Sequence, residues 1–266
     1  MSETRDITAL NRAAWDAAAA HHGSGAYWEE LCTGFADPAY SRFDSHMTEA
    51  LRAAGIEGAR AVQIGCNNGR ETLSAAALGA REVWGIDQSR AFLDQAETLR
   101  DISGHPVRFL EADIYALPPD APGDFDLAFI TIGVLNWMPD LPGFFAAVAG
   151  LMAPGGRLVI YETHPVLEMF DPATDDPFRP AFSYFRTEPI IETETITYDG
   201  TAPGPAPESH WFVHPLARIV QSVLDAGMTL TGLQEFAHSI REVDYDIYET
   251  QAAQIPMSFL LTARKA

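Results

Sequence analysis

The sequence predicts an α/β fold, a mostly parallel sheet covered by helices on both faces. Two observations carry that reading. From residue 60 onward, short apolar runs alternate with helical segments, the pattern of strands buried on both faces and joined by crossover helices. The first of these runs ends in Gly65-Cys66-Asn67-Asn68-Gly69 with a helix directly after it, a turn that aims main-chain N–H groups across the carboxyl edge of a sheet. The 266 residues suffice for one large α/β unit with insertions or for two small domains.

The elements follow in order. Asp6 to His22 is alanine-rich, with Leu10, Ala14, Trp15 and Ala18 at helical spacing. A short second helix carries Tyr27, Trp28 and Leu31, and a third is expected from Pro38 to Ala54, stopping at Gly55. Strands are predicted at Ala61–Ile64, Glu82–Ile86, Val107–Leu110, Leu127–Thr131 and Leu158–Tyr161. Helices are predicted between them at Glu71–Leu78, Ser89–Leu99, with Ser89 as N-cap, and Leu141–Met152. Residues 164 to about 212 break the rhythm with frequent proline and the alternating run Ile191 to Asp199, which reads as an exposed strand. So long an insertion is expected to fold over something. A helix from Pro215 to Ala226 and strands at Met228–Phe236 and Pro256–Ala263 complete the chain.

Composition excludes several functions. Hydrophobic residues are 47% and charged residues 20%, which is ordinary for a packed protein. The 37 acidic against 17 basic residues give a net charge of -20, which repels nucleic-acid phosphates and anionic lipid; neither nucleic acid nor membrane is an expected partner. Lys265 is the single lysine, so phosphate-loop and Schiff-base chemistry have no donor. Cys32 and Cys66 cannot form a disulfide framework or a four-cysteine zinc site. The amino terminus lacks a signal-peptide core and no run approaches the roughly 18 apolar residues of a membrane span, so a cytoplasmic location is expected. Motifs for a nucleophile elbow, a zinc hydrolase helix and the dinucleotide fingerprint G-x-G-x-x-G are absent from the sequence.

What remains is a nucleoside-type constellation. Asp87 ends the second strand 22 positions after Gly65, the spacing that sets a carboxylate against ribose hydroxyls. Asp113, after the third strand, can accept from an adenine amino group while Ile114 packs on the ring. Asn67 stands where a further glycine is expected and tolerates positive φ.

Together the segments VQIGCNNGRET, VWGIDQS, FLEADIYALP, DFDLAFITIGVLNWMPDL and GLMAPGGRLVIYETHP resemble the class I S-adenosylmethionine-dependent methyltransferases, strongly over Ala61 to Thr163 and loosely elsewhere. The resemblance implies a Rossmann-like seven-stranded mostly parallel sheet with an N-terminal helical lid and an insertion after the fifth strand. It implies S-adenosyl-L-methionine as cofactor and a small-molecule acceptor methylated on oxygen or nitrogen. The expected organisation is a lid (1–58), a cofactor-binding core (59–163), a substrate-capping insertion (164–214) and the C-terminal part of the sheet (215–266). The implied cofactor contacts are Tyr27, Gln63, Gly65, Cys66, Asn67, Gly69, Asp87, Gln88, Asp113, Ile114 and Ile132. Gln63 departs from the family, which usually has an acid there.

Methyl transfer needs alignment, exclusion of water and, for a protonated acceptor, removal of a proton. His164, after the fifth strand, is the expected base because histidine titrates near neutral pH. Trp15, Asn136, Trp137, Tyr184, His210, Trp211 and His214 are expected on the acceptor side. Trp15, Tyr27 and Trp28 could close the site over the sulfonium. Plain alternatives stand beside these: a structural loop histidine at 164, packing anchors at the aromatic positions and a small core residue at Cys66. His210 and His214, with Glu208, are too few to predict a metal. A reaction other than methyl transfer, or non-catalytic sensing of the cofactor, is the alternative function. The insertion is either an intramolecular lid or a homodimer contact.

Overall fold

A computed structural model describes residues 2–197, 204–241 and 243–266. Three helices come first: α1 (Ser2–His22), α2 (Gly25–Phe35) and α3 (Ser45–Ala53). There follow β1 (Arg60–Ile64), α4 (Arg70–Ala77), β2 (Glu82–Asp87), α5 (Arg90–Ser103), β3 (Arg108–Glu111), β4 (Phe125–Ile130), α6 (Leu141–Leu151) and β5 (Met152–Thr163). The chain ends with β6 (Ile190–Glu194), β7 (Pro205–Trp211), α7 (Leu216–Asp225), β8 (Met228–Phe236) and β9 (Ser258–Lys265).

Seven strands form one sheet in the order β3-β2-β1-β4-β5-β9-β8. The first five are parallel, and β9 runs antiparallel to both β5 and β8. The direction of the chain reverses on either side of β1, so the carboxyl ends of β1 and its neighbours diverge into a crevice, the usual ligand position in such sheets.

Period-two alternation divides the core between the two faces. Val62, Ala128 and Leu158 face Phe144, Phe145 and Val148 of α6 and Ile219 and Val223 of α7. Their neighbours Ala61, Leu127 and Val159 pack with Leu31 and Phe35 of α2, Met47 and Leu51 of α3, and Leu73 and Leu99. Trp28 joins this second layer.

Caps fix the helix starts. Ser89 accepts from Phe92 N at 3.3 Å, as expected from the sequence, and Gly104 ends α5 at φ +69°. The third helix starts later than the expected Pro38, because Asp44 caps it by accepting from Met47 N at 2.8 Å. The expected closing strand starts at Ser258, just beyond Pro256, whose nitrogen has no hydrogen to give a ladder. Of the run Ile191 to Asp199, only the first part is strand, in β6, which pairs with β7 as a separate antiparallel ribbon; Tyr198 and Asp199 lie outside the described residues. Among the described residues no helix is long and apolar enough to cross a membrane.

Candidate active site

The carboxyl edge of the sheet opens into a cavity of about 440 Å³, a size suited to a small molecule or cofactor. Its floor is the turn after β1. Gly65 sits at φ +68°, and a Cβ there would lie 2.7 Å from Val134 Cγ2, so both conformation and space require glycine. Asn67 takes φ +50° and donates its main-chain N–H to Asp87 Oδ2 at 2.7 Å. Asp87 Oδ1 accepts from Ser89 N at 2.9 Å. Burial pushes the Asp87 carboxyl above its ordinary range, while the N–H groups of Ser89 and Asn67 pull the other way. Asp113 closes the next strand end: Oδ1 accepts from Tyr115 N at 2.9 Å and Oδ2 from Thr8 Oγ1 of α1 at 2.7 Å.

Of the expected cofactor contacts, the cavity brings together Tyr27, Gly65, Asn67, Asp87, Gln88, Asp113, Ile114 and Ile132. Three lie behind its wall. Gln63 is buried; its Oε1 accepts from Thr72 Oγ1 at 2.6 Å and its Nε2 donates to Thr131 Oγ1 at 3.2 Å, so the amide braces β1 and does not face a ligand. Cys66 is fully buried against Leu93 and Ala96, and burial pushes its thiol well up, away from reactivity. Gly69 caps α4 at φ +76°, where a Cβ would fall 2.8 Å from Phe109 Cζ.

Away from the glycine turn the cavity is lined by Trp15, Trp137 and Trp211. Their rings meet edge to face, 5.3 Å between Trp15 and Trp137 and 5.0 Å between Trp137 and Trp211. The other expected residues stand outside it. Asn136 donates from Nδ2 to Phe212 O at 2.8 Å, Tyr184 OH accepts from Leu216 N at 3.0 Å, and His210 pairs with Glu208 at 2.7 Å. His214 lies 2.9 Å from Met138 O, and burial pushes its pKa down to about 4. His164 is also buried outside the cavity. Its Nδ1 accepts from Val166 N at 3.1 Å, and its Nε2 lies 2.9 Å from Glu235 Oε1 in an ion-pair contact too poorly aligned to be a good hydrogen bond. Desolvation lowers its pKa against the opposing pull of Glu235.

Sequence reasoning missed several lining residues: Thr8, His21, His22, Arg42, Arg70, Glu71 and Arg241. Arg70 and Glu71 directly follow the glycine turn, so their position could have been read from spacing. Arg70 donates to Tyr27 OH at 2.9 Å and to Glu71 Oε1 at 2.7 Å. The others carry no local signal, because α1, the segment between α2 and α3 and the segment after β8 reach the cavity only through the tertiary fold. Asn11, fully buried, joins α1 to β7: it accepts from His210 N at 2.7 Å and donates to His210 O at 3.1 Å. His22 Nε2 lies 2.8 Å from Ile196 O.

This geometry has known counterparts. Residues 62–160 match the family model of the methyltransferase domain. Over that stretch the chain is similar to the methyltransferase domain family. The stretch runs from β1 into β5 and therefore contains the glycine turn, Asp87 and Asp113, while α1 to α3 and the insertion lie beyond it. The ubiquinone biosynthesis O-methyltransferase of Aromatoleum aromaticum is 36% identical over 107 residues, 40% of this chain and 45% of that one. The trans-aconitate 2-methyltransferase of Methylobacterium radiotolerans is 33% identical over 127 residues, 46% of each chain. The chain thus spans about half the length of these curated relatives. In fold, it is similar to the magnesium protoporphyrin IX methyltransferase of Synechocystis, solved with S-adenosylhomocysteine bound, at a TM-score of 0.54, 16% identity, and coverage of 92% of this chain and 90% of that one.

The donor set of this cavity fits an adenosyl ligand. Each oxygen of Asp87 takes one main-chain N–H and keeps a second lone pair for a hydroxyl, and Asp113 has the same spare capacity beside its bonds to Tyr115 and Thr8. Ile86, Ile114 and Ile132 supply apolar wall between them.

Proposed function

We propose that the chain is a class I S-adenosylmethionine-dependent methyltransferase acting on an oxygen or nitrogen of a small molecule. One observation supports this most directly: a single cavity joins the Asp87 and Asp113 acceptors to the three-tryptophan wall. The names of the relatives, two of which methylate small molecules, point the same way.

Asp87 would hold the ribose hydroxyls, Asp113 and Ile114 the adenine, and Arg70 and Arg42 the carboxylate of the amino-acid end. Glu71, which lines the cavity where Gln63 does not, would face the ammonium. When bound, S-adenosylmethionine supplies an electrophilic methyl group on sulfur. The chain contributes alignment and dryness: α1 covers the crevice, pinned by Thr8 to Asp113 and by Asn11 to β7, and the tryptophans exclude water. Removal of an acceptor proton would fall to a histidine of the cavity wall, His21 or His22. His164, buried outside the cavity, takes a structural part.

Incubation with S-adenosylmethionine and a panel of phenols, carboxylates and amines tests the proposal. Release of S-adenosylhomocysteine dependent on one acceptor class is the expected result. Binding of both cofactor forms with no release from any acceptor would favour a sensor instead.

A further inference from the structure

Two threonines at the carboxyl ends of β4 and β5 carry hydroxyls that the fold itself does not use up. Thr131 follows β4 and Thr163 ends β5, and in period-two alternation they continue the rows Leu127, Phe129 and Val159, Tyr161 on one face of the sheet. Both are buried and both line the cavity, and strand spacing and rise put them roughly 8 Å apart at Cα. Thr163 is 5% exposed, yet among the described residues nothing bonds its hydroxyl. That oxygen is not sealed in the core either, so its open side is the cavity. A hydroxyl in so buried a position is costly unless a ligand or water meets it.

Thr131 has a defined polarity. Gln63 Oε1 accepts from Thr72 Oγ1 at 2.6 Å, and Gln63 Nε2 donates to Thr131 Oγ1 at 3.2 Å. With that bond accepted, Thr131 still has its own hydrogen to give, and among the described residues no group takes it. A carboxylate in place of Gln63 would take that hydrogen itself. The amide therefore leaves Thr131 a donor toward the cavity. Glu162 holds the pair in position before any ligand arrives: it accepts from Thr163 N and from the Gly133 and Leu135 N–H groups of the turn that begins at Thr131. The same turn carries Trp137, so the hydroxyls stand at the foot of the aromatic wall.

A donor that faces the attacking atom discriminates by lone pairs. The nitrogen of a neutral amine has one, which goes to the methyl carbon and leaves nothing for Thr131. An oxygen has a second lone pair, which accepts while the first attacks. Deepening the methyltransferase reading above, on which it rests, we propose that Thr131 and Thr163 hold the reacting atom of the acceptor, and that this atom is the oxygen of a phenol, an enol or a carboxylic acid. Thr131 donates to it, and Thr163 accepts its hydrogen before ionisation and donates to the oxyanion afterwards. In the transfer an oxygen lone pair forms the bond to the methyl carbon, and the carbon–sulfur bond breaks with its electron pair going to sulfur. The acceptor's proton passes to the cavity-wall histidine, His21 or His22.

Calorimetric titration of the full chain, saturated with S-adenosylhomocysteine, tests this with 2-naphthol against 2-naphthylamine, which near neutral pH match in size and charge. The naphthol is expected to bind at least about fivefold more tightly. 4-Nitrophenol adds a spectroscopic signature: with two hydroxyls on its oxygen, the yellow phenolate should appear at lower pH bound than free. Thr131→Val is expected to erase both the preference and that shift, Thr131→Ser to restore them, and S-adenosylhomocysteine affinity to stay within about twofold in each. Thr163→Val is expected to lower the preference to about twofold, which covers the case in which Thr131→Val does not fold. Equal binding of naphthol and naphthylamine, binding of neither, or a preference that survives both valine substitutions would overturn the proposal, as would methyl transfer to amines in place of phenols and carboxylates. Failure of the wild-type chain to bind S-adenosylhomocysteine would instead strike the methyltransferase reading, and the naphthol-to-naphthylamine ratio measured without it judges the threonines separately.

Discussion

The two halves of the cavity are built by different means. In the glycine-turn half, the contacts for the nucleoside part stand at or just beyond the carboxyl ends of parallel strands: Gly65 and Asn67 after β1, Asp87 on β2, Asp113 after β3. Sheet topology alone brings these together. In the aromatic half, Trp15, Trp137, Trp211 and Arg241 come from a helix, a turn, a ribbon strand and a loop. They are joined by side-chain latches, Asn11 to His210 and Glu168 to Arg241. The first half is a property of the fold, and the second is a property of particular side chains laid over it. Cofactor affinity should therefore follow the sheet, and acceptor choice the latches.

Breaking the first half has the largest expected effect. Asp87→Ala removes acceptors for ligand hydroxyls and also releases the N–H groups of Asn67 and Ser89. At roughly 1.5–3 kcal/mol for a hydrogen bond to a charged group, S-adenosylhomocysteine affinity measured by calorimetry should fall about 100-fold. Breaking the second half acts elsewhere. Asn11→Ala removes both hydrogen bonds that the fully buried Asn11 side chain makes to the His210 main chain, which costs about 1–3 kcal/mol; denaturant titration should record that loss, and acceptor KM should rise while cofactor affinity holds.

A third test sharpens the seam between the halves. Glu162 is buried at the end of β5 and accepts from the N–H groups of Gly133, Leu135 and Thr163, which holds the cavity wall after β4 against β5. Burial, opposed by those N–H groups and reinforced by Glu168, raises its pKa from the ordinary 4.5 to about 7. The native state then binds this proton more tightly than the unfolded chain, so the stability it contributes is full below about 4.5 and is lost as pH rises through about 7. Glu162→Gln should remove a slope of up to about 1.4 kcal/mol per pH unit across the middle of that window, read as the difference from wild type in denaturation midpoints. The smallest effect belongs to His164. Because it lies outside the cavity, His164→Gln should leave kcat within about threefold, far from the roughly 100-fold or greater loss that follows removal of a general base.

Most of the first half is legible in the sequence. The Gly65 turn, the spacing to Asp87 and the Ser89 cap are local patterns, and the alternation of apolar runs with helices is enough to place the five parallel strands along the chain. Gln63 shows the limit of spacing. It stands where the family places a ligand contact, but hydroxyls at Thr72 and Thr131 satisfy its amide first. His164 misleads for a longer-range reason. It follows a parallel strand as site residues do, yet β9 pairs beside β5 and covers it: His164 N donates to Met257 O at 2.9 Å, and its ring meets Phe259 edge to face. The second half is illegible because its partners are far apart in the chain. Nothing near Arg241 announces Glu168, and nothing near Asn11 announces His210.

Titration of the full chain with S-adenosylhomocysteine, run in parallel on wild type, Asp87→Ala and Asn11→Ala, tests most directly the division between a cofactor half made by the sheet and an acceptor half made by latches. One-to-one binding in the micromolar range is predicted, weakened about 100-fold by the first substitution and by less than about twofold by the second. No binding by the wild type, or equal loss in both variants, would contradict the account.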